Sequence, residues 1–564
     1  KTFYLCLPYP IGSTGAMTDV RSCVGKNGRF IVGVHRPCFK VKNRRKNDYL
    51  QPLGVLEDGT VVDNRPNFPD QDLYEPRADI IYEIHNPFAF RGTTYINSAW
   101  ADAKAAQPET ISIQAPGPCS LLHNFKASRE GKDLDFNEKI KLLDLLPHPL
   151  LIALAQASTD PEELVLLAQK SCRIIFDTDC HETPAGIGYK KTQSGKISPD
   201  IHDSELFEVL VNNPHLPDSY KNVIVLRPGV QGTNEITGEY LSPDGNTHVF
   251  EYLRRNSYIP WGHFASNMAN DAIRYRARDL TEDDIKGIRH LYYQRAFIRL
   301  GTELEIPFPE KKETLAEEAL ETLRKKILEI LKQSDAPSLN FDSTLWGWNF
   351  GFGYAQSGHR LHASHQMIHH QNAMIPKQVR AESGEKIPSF ACGDLIRDFI
   401  TQYRQTTGKP FFKTYVDCII NNTRTDGKQE GPSSLILFED DHILLFVPKA
   451  QVSEWELQLM PKTDCGNILE ADTKMRQSLD KAMLTAVKTL EALGAQFVTT
   501  IEFSKRFDSA DTDQRLLYSF IPRLPYAPAT FSEAQLRWIS GAFPEDVAHA
   551  CRTVMKPQKK RTAL

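Results

Sequence analysis

The chain has 564 residues, of which 24% are charged and 41% hydrophobic, and its formal net charge is −4. This length allows two or three domains with sizeable cores, and the nearly balanced charge excludes a global field that would recruit nucleic acid or an anionic membrane. No run of about 18 apolar residues occurs, so the sequence predicts no membrane span. The ten cysteines include no CxxC pair. We therefore expect free thiols and a cytoplasmic protein.

Residues 1–220 predict a β-rich N-terminal extension of uncertain role. Short β-prone runs separated by Pro and Gly continue to about residue 130, and helical runs follow across 136–170. The polar, turn-rich segment 176–200 predicts a surface loop or a boundary.

Residues 221–385 predict a first α/β unit. Two strand candidates, 222–229 and 248–255, precede a helix whose N-cap is Thr281, because acidic residues fill its first turn. Apolar residues at fourfold spacing across 313–333 predict a second, amphipathic helix.

Residues 386–564 predict a second unit. Strands are expected within 434–451, 454–462, 496–503 and 516–524, with a helix at 474–493. The order strand, strand, helix, strand occurs twice at long range, ending near 350–370 and near 515–523. This recurrence indicates an internal duplication.

The stretch 359-HRLHASHQMIHHQ-371 holds five of the 17 histidines. In an extended strand alternate side chains share a face, so His362, Ser364 and Gln366 would point to the same side. Attack on a phosphate needs a neutral imidazole, together with donors for the phosphate oxygens. Glycines just upstream allow the backbone to approach a phosphate closely.

These motifs resemble the histidine-triad superfamily, in particular its galactose-1-phosphate uridylyltransferase and diadenosine-polyphosphate phosphorylase branch. The resemblance covers about 220–552. It rests on 349-NFGFGYAQSGHRLHASHQ-366, 446-FVPKAQVSEWELQLMPK-462, 520-FIPRL-524 and 544-PEDVAHACR-552. It implies two histidine-triad-like halves and transfer of a nucleoside monophosphate through a nucleotidyl-histidine.

The resemblance leaves the register of the histidine strand open. Without a gap, His362 matches the family's nucleophile, Arg360 its preceding histidine and Ser364 its glutamine. A short insertion would instead put Ser364 in the nucleophile's place, or let His365 serve with Gln366 beside it. The catalytic candidates are therefore His362, His365, Ser364 and Gln366.

Further residues are expected to bind the nucleotide or its phosphates, either from the Asn-x-Gly motif or as polar and basic residues around the histidines and at strand ends. These candidates are Asn349, Gly351, Ser357, Arg360, Lys449, Lys462 and Arg523.

A metal site is the main alternative reading of the histidines. His362, His365 and His369, spaced by three and four, would suit a helix face and a Zn²⁺ ion. Some members of the branch carry a structural metal, which makes Cys180, His181 and Cys392 further candidates. No cofactor is certain from the sequence, and Zn²⁺ or Mg²⁺ stays open.

The sequence thus predicts an α+β protein with two histidine-triad-like halves, each an antiparallel sheet with packed helices, and the second degenerate. We expect a nucleotidyltransferase or phosphorylase that moves a nucleoside monophosphate, AMP in the first instance, between a phosphoanhydride and phosphate. The alternatives are a uridylyl-sugar transferase, a metal-dependent nucleotide phosphohydrolase and a non-catalytic nucleotide-binding protein. The expected partners are a nucleotide and phosphate, and a homodimer is the default assembly.

Overall fold

A computed structural model gives the structure of the chain in segments. It describes residues 20–42, 53–63, 71–114, 117–128, 133–177, 183–191, 193, 195, 197–211, 213, 215–224, 280–307, 315–333, 337–351, 353–354, 360–362, 368–524 and 530–556.

The described residues contain strands, α-helices and two short 3₁₀ turns. The strands are β1 (Val24–Gly25), β2 (Arg29–Phe30), β3 (Gly33–His35), β4 (Phe39–Val41), β5 (Gly54–Val55), β6 (Val61–Val62), β7 (Leu73–Glu75), β8 (Ile81–His85), β9 (Thr93–Asn97), β10 (Ile174–Phe176), β11 (Pro184–Ile187), β12 (Tyr189–Lys191), β13 (Ile197–Pro199), β14 (Phe341–Gly351), β15 (Gly353–Tyr354), β16 (Arg360–His362), β17 (Ile368–Pro376), β18 (Gln378–Arg380), β19 (Lys386–Pro388), β20 (Ile436–Glu439), β21 (Ile443–Phe446), β22 (Leu457–Pro461), β23 (Phe497–Phe503), β24 (Leu517–Pro522) and β25 (Arg537–Ser540). The α-helices are α1 (Ser98–Ala106), α2 (Leu121–Ser128), α3 (Phe136–Asp144), α4 (His148–Ala157), α5 (Pro161–Ser171), α6 (Ser204–Val211), α7 (Asp218–Ile224), α8 (Glu282–Glu303), α9 (Glu317–Leu331), α10 (Cys392–Thr407), α11 (Phe411–Ile420), α12 (Thr473–Ala492), α13 (Thr530–Ala534) and α14 (Pro544–Met555).

A seven-stranded antiparallel sheet is the largest element of the described structure. Its strand order is β17-β14-β23-β24-β22-β21-β20, with every neighbouring pair antiparallel. The mixed α+β class that the sequence predicts is therefore confirmed. Strands from both predicted halves hydrogen-bond within this one sheet, because β14 pairs with β23 from Gly347↔Ile501 to Gly351↔Phe497.

Helices cover one face of this sheet with the largest hydrophobic core. Side chains from α8, α9, α12 and α14 pack there against alternate residues of the strands, such as Leu445 and Leu459. Helix α8 begins where the sequence predicts, because Thr281 and Asp284 form a capping box around its first turn. Helix α9 buries Leu320, Leu323 and Ile327 in the same core.

Helices α10 and α11 cover the opposite face of the sheet at its β20–β24 end. They pack Phe399, Phe411 and Tyr415 against the strand residues that point away from the first core, such as Leu444 and Phe446. Both faces of these strands are buried here. This explains why their sequences are continuously apolar rather than alternating.

A second sheet joins the two ends of the chain. Its order is β25-β9-β8-β3, and β25 pairs with β9 in parallel from Arg537↔Thr93 to Ser540↔Ile96. At the start of this ladder Gly92 has φ of +88°, and a Cβ added to it would lie 2.0 Å from the carbonyl oxygen of Leu536. The position therefore requires glycine.

Residues 117–224 build a separate core from helices α2–α7 and short strands. Its buried members include Leu143, Leu164 and Phe207. The strand predicted at 222–229 begins instead inside α7, which continues to Ile224, and its remaining residues lie outside the described structure. The extension is thus β-rich up to Asn97 and mainly helical beyond it.

The cysteines and helices of the described residues agree with two further expectations. Eight cysteines are free thiols, five of them buried. Across the same residues, each helix is too short or too polar to cross a lipid bilayer.

Candidate active site

The predicted Asn349 lies near the end of β14, the second strand of the large sheet, on the side that α8 and α12 do not cover. It is opposite Thr499 in the ladder between β14 and β23, and the Thr499 hydroxyl donates a hydrogen bond of 2.8 Å to Asn349 Oδ1. Thr499 is in turn opposite Ile521 of β24. The alternation along β14 produces this exposure, because Trp346, Trp348 and Phe350 take the buried side.

Arg523 and Gly351 meet at one end of the sheet. Gly351 is opposite Phe497, and the Arg523 backbone N–H donates to the Phe497 carbonyl over 2.8 Å. The side chain of Arg523 is exposed. Within the described residues no carboxylate pairs with its guanidinium, so this cation is free to bind an anion.

A cavity of about 480 Å³ opens beside this sheet end. Its walls include Thr499 and Arg523 from the large sheet, Gln451 and Ser453 from the loop before β22, and Trp538 from β25. The volume is within the usual range for a small-molecule site. The lining combines polar donors, the Arg523 cation and the Trp538 indole with two carboxylates, Glu454 and Glu533. One oxygen of Glu454 is already bonded, since it accepts from the Gly541 N–H over 2.6 Å.

A buried ion pair fixes the cavity's neighbouring wall. Arg91, which precedes β9, reaches across to Glu456 with an Nη1–Oε1 distance of 2.7 Å, and Glu456 is fully buried. The Ser519 hydroxyl and the backbone N–H of Val452 also donate to Glu456, over 2.5 Å and 2.8 Å. Trp538 is held by a 2.8 Å hydrogen bond from its indole N–H to the Arg91 carbonyl. The N-terminal region therefore orders the loop and strand that line the cavity.

A network of hydrogen-bonded polar side chains lies on the buried face of the same strands. Arg289 of α8 donates to the hydroxyls of Tyr293 and Tyr518, both over 2.7 Å. Tyr518 and Tyr292 donate to Glu502 over 2.6 Å and 2.7 Å. Burial raises the pKa of Glu502, with the Arg289 charge opposing the shift. Arg289 Nη1 makes no hydrogen bond and lies 3.7 Å from Glu502 Oε2. The remaining hydrogen bonds of the network hold the strands in one arrangement.

The described parts of the histidine-rich segment belong to two different ladders. Arg360–His362 pairs with Gly353–Tyr354 in a two-stranded ladder, with His362 opposite Gly353, two residues beyond Gly351. Residues 368–376 form β17 at the edge of the large sheet, where His369 is opposite Asn349. Ser357, Ser364, His365 and Gln366 lie outside the described residues.

The two predicted lysines are both paired with carboxylates. Lys449 is buried, and its ammonium donates to Glu545, Asn422 and the Thr423 carbonyl over 2.5, 3.0 and 2.8 Å, which uses all three of its protons. Lys462 follows β22 at the opposite end of the sheet, where it pairs with Glu439 over 3.0 Å.

The structure describes only some of the residues proposed as metal ligands. Cys180 and His181 lie outside the described residues, and burial raises the pKa of the Cys392 thiol at the start of α10. Within the described part of the chain, no three His, Cys, Asp or Glu side chains come together in a way that could hold a metal ion. The site residues remain predictions, with Asn349, Gly351 and Arg523 grouped at one sheet end and His362 close by along the chain.

Sequence reasoning missed Thr499, Trp538 and the Arg91–Glu456 pair. Thr499 stands in a predicted strand, so its contact with Asn349 required only the correct strand pairing. No local signal in the sequence identifies Arg91 or Trp538, because their contacts with Glu456 and with each other join residues hundreds of positions apart.

Comparison with solved structures gives matches that cover part of the chain. A GalT-like protein from Arabidopsis thaliana matches with a TM-score of 0.28 and 15% identity, over 42% of this chain and 67% of that one. An ADP-glucose phosphorylase from Arabidopsis thaliana with bound ADP-glucose matches with a TM-score of 0.29 and 15% identity, over 42% and 65%. A Hit-like protein from Bartonella henselae matches with a TM-score of 0.16 and 21% identity, over 24% and 96%.

These matches include the same branch that the sequence resembles. The chain spans about two thirds of the length of the two Arabidopsis proteins. No protein-family model matches the chain. No curated protein matches it either.

Proposed function

We propose that this chain is a nucleotidyltransferase or phosphorylase, with its active site at the sheet end formed by Asn349, Gly351 and Arg523. The observation that carries the proposal is the unpaired Arg523 guanidinium at a polar cavity of about 480 Å³, next to the Asn349–Thr499 hydrogen bond. Glu454 and Glu533 line the same cavity, but within the described residues no carboxylate pairs with Arg523, and an arginine in that state is suited to bind phosphate.

The proposed reaction has two displacements at one phosphorus. The lone pair of a neutral imidazole forms an N–P bond with the α-phosphorus, and the bridging oxygen leaves with its electron pair on the departing nucleotide, sulfate or sugar phosphate. An oxygen of inorganic phosphate then attacks the same phosphorus and releases the imidazole. Asn349 and Arg523 would hold the phosphate oxygens, since stabilising their charge is most of the catalytic work.

His362 is the proposed nucleophile. Support comes from its backbone position: it is opposite Gly353, which is two residues beyond Gly351, the last residue of β14. His365, with Ser364 and Gln366 beside it, is the second choice. The two histidine-triad-like halves that the resemblance implies, with their boundary near 385, belong to the same proposal.

The substrate is proposed as a phosphoanhydride of a nucleoside monophosphate, either a dinucleoside polyphosphate or adenylyl sulfate, with AMP as the first group to test. One matching structure is an ADP-glucose phosphorylase with bound ADP-glucose, so ADP-glucose joins diadenosine tetraphosphate, adenylyl sulfate and UDP-glucose in the substrate panel. The uridylyl-sugar transferase remains the alternative within this reaction class.

The test is phosphorolysis of each substrate, labelled at the α-phosphate, in the presence of inorganic phosphate. We expect a labelled nucleoside diphosphate and, without phosphate, an acid-labile label on the protein. Peptide mapping then locates the label. The His362→Gln variant should lose both label and turnover, whereas loss in His365→Gln alone would move the nucleophile to that residue.

Arg523→Ala should raise KM by roughly 10- to 100-fold, because a charge-assisted hydrogen bond contributes about 1.5–3 kcal/mol. Lys462→Ala, at the other end of the sheet, is the matched control and should leave KM unchanged. Nucleotide binding without label or turnover would make the chain a binding protein. Turnover that requires a stoichiometric metal and gives no labelled protein would make it a phosphohydrolase.

A further inference from the structure

A second cavity of about 480 Å³ lies on the side of the large sheet that α8 and α12 cover. It opens between the N-terminal halves of these two helices and the turn that joins β20 to β21. At that turn Asp440 accepts hydrogen bonds from the backbone N–H groups of His442 and Ile443 over 2.8 and 2.9 Å, so its carboxylate is occupied. None of the residues that line this cavity lines the proposed active site.

Asp480 of α12 is the buried member of the lining. It is 7% exposed, whereas the other lining residues are exposed or half-buried. Its Oδ1 atom has no hydrogen-bond partner among the described residues, since Arg289 Nε lies 3.7 Å away, beyond hydrogen-bond distance. A buried carboxylate without a donor is unfavourable, because it has lost its water and gained nothing in exchange.

The charged groups around Asp480 are already engaged with other partners. Those that face it are Arg289 and Lys286 of α8, Arg476 of its own helix and Glu317 of α9. Arg476 pairs with Glu317 over 2.6 Å, and Arg289 donates its hydrogen bonds to tyrosine hydroxyls. Burial outweighs these cations and raises the pKa of Asp480 to about 7. The fold alone therefore does not supply the full counter-charge of this carboxylate.

Three exposed lysines also line the cavity: Lys286 on α8, and Lys474 and Lys481 on α12. Within the described residues none of their ammonium groups forms an ion pair. Lys474 and Lys481 are seven residues apart, so they share one face of the helix. Glu282 and Asp283 line the α8 side as well, which makes the lining unsuited to a purely anionic ligand. A cavity with an unpaired carboxyl inside and both signs of charge around its opening is complementary to a zwitterion.

We propose that this cavity binds a small zwitterion, a free amino acid in the first instance, with its ammonium on Asp480 and its carboxylate among the three lysines. The ammonium supplies both the donor and the counter-charge that Asp480 lacks, and a charge-assisted hydrogen bond of this kind is a strong one. The volume is within the usual range for a small-molecule site. This proposal does not rest on the proposed function, because the two cavities share no residue.

The test is isothermal titration calorimetry of the full chain with the proteinogenic amino acids. At least one should bind, and its N-acetyl derivative, which lacks the ammonium, should bind at least about tenfold more weakly. Asp480→Asn keeps the volume of the side chain and should weaken binding of the amino acid by a similar factor. Lys474→Gln/Lys481→Gln should also weaken it. Lys326→Gln/Lys488→Gln, which removes the same charge from α9 and α12 outside the cavity, should leave the affinity unchanged.

Proton release identifies the group that meets the ammonium. At pH 6 most of Asp480 is protonated in the free chain and should ionise in the complex, so binding should release about one proton. Titrations in buffers of different ionisation enthalpy measure this release. At pH 8 Asp480 is already ionised, so release should vanish. The difference between the wild type and Asp480→Asn isolates Asp480 from His442, which also lines the cavity and titrates in the same range.

A loss of binding in Asp480→Asn is not expected to come from unfolding, because removing a buried charge should stabilise the chain above pH 7. Thermal unfolding of the variant checks this. Three results would overturn the proposal: no amino acid binds, the N-acetyl derivative binds as tightly as the amino acid, or binding is unaffected by Asp480→Asn.

Discussion

Replacing Lys449 by methionine separates a structural role of this lysine from a ligand-binding one. The Lys449 ammonium lies 2.5 Å from Glu545 Oε1, and both side chains are almost fully buried. Glu545 also accepts hydrogen bonds from Asn422 over 3.0 Å and from the Thr425 hydroxyl over 3.1 Å. The substitution removes the cation and leaves the carboxylate buried among weaker donors.

The expected cost follows from burial of an unpaired charge. Removing one partner of a buried ion pair destabilises a protein by about 3–5 kcal/mol. For a cooperative unit of 150–250 residues this corresponds to a Tm lower by about 6–20 °C. The Lys449→Met/Glu545→Gln double variant should recover much of the loss, because a neutral amide retains an acceptor for Asn422 without the buried charge.

The assay is thermal unfolding followed by circular dichroism, together with steady-state kinetics on the most active substrate of the panel. The control is Lys462→Met, because Lys462 and its partner Glu439 are both partly exposed to solvent. Such a pair contributes about 0–1 kcal/mol. The control variant should therefore keep its Tm within a few degrees of the wild type.

The kinetic result decides between the two roles of Lys449. If the ion pair is its role, the Lys449→Met variant loses Tm and keeps its KM at temperatures where it is folded. An unchanged Tm with a KM raised tenfold or more would refute the ion-pair role and would indicate that Lys449 binds phosphate.

Three further substitutions test the pH dependence of stability, the contact between Gly92 and Leu536 in the N-terminal sheet, and the proposed active site. Burial raises the pKa of Asp480 to about 7, above its unfolded value, so its contribution to stability is lost as pH rises from about 4 to 7. Asp480→Asn should therefore match the wild-type Tm at about pH 4 and exceed it at pH 8. Gly92→Ala should lower the Tm and speed proteolysis of the N-terminal sheet, because its Cβ would clash with Leu536. Thr499→Val removes the hydroxyl that donates to Asn349 and should lower turnover about tenfold at nearly constant Tm. Each expectation fails if the Tm difference does not change with pH, if proteolysis is unchanged, or if turnover is unchanged.

Local patterns predicted most of the elements whose signals lie within a few residues. The acidic first turn after Thr281 predicted α8, and the runs around 436–446 and 497–503 predicted strands that the structure contains. Helices α10 and α11 were missed although the signal was present. In α10, Ile396, Phe399, Ile400 and Tyr403 recur at helical spacing and are buried.

Local sequence patterns do not determine which strands pair with each other. Lys449 and Lys462 both look like basic residues at strand ends. One is neutralised by Glu545, about a hundred positions further along the chain, and the other lies at the far end of the sheet from Arg523. Which strand ends share an edge depends on the order of strands in the sheet, and that order arises from contacts distant in sequence.

The N-terminal region shows why this matters for the site. Read from the sequence, residues 1–220 are an extension with no evident link to the histidine-rich segment. In the fold, β9 pairs with β25 near the other end of the chain, and Arg91 just before β9 reaches the buried Glu456. Trp538 then lines the cavity while bonded to the Arg91 carbonyl. Loss of this sheet should therefore disorder one wall of the cavity, which makes the N-terminal region part of the proposed site rather than an appendage to it.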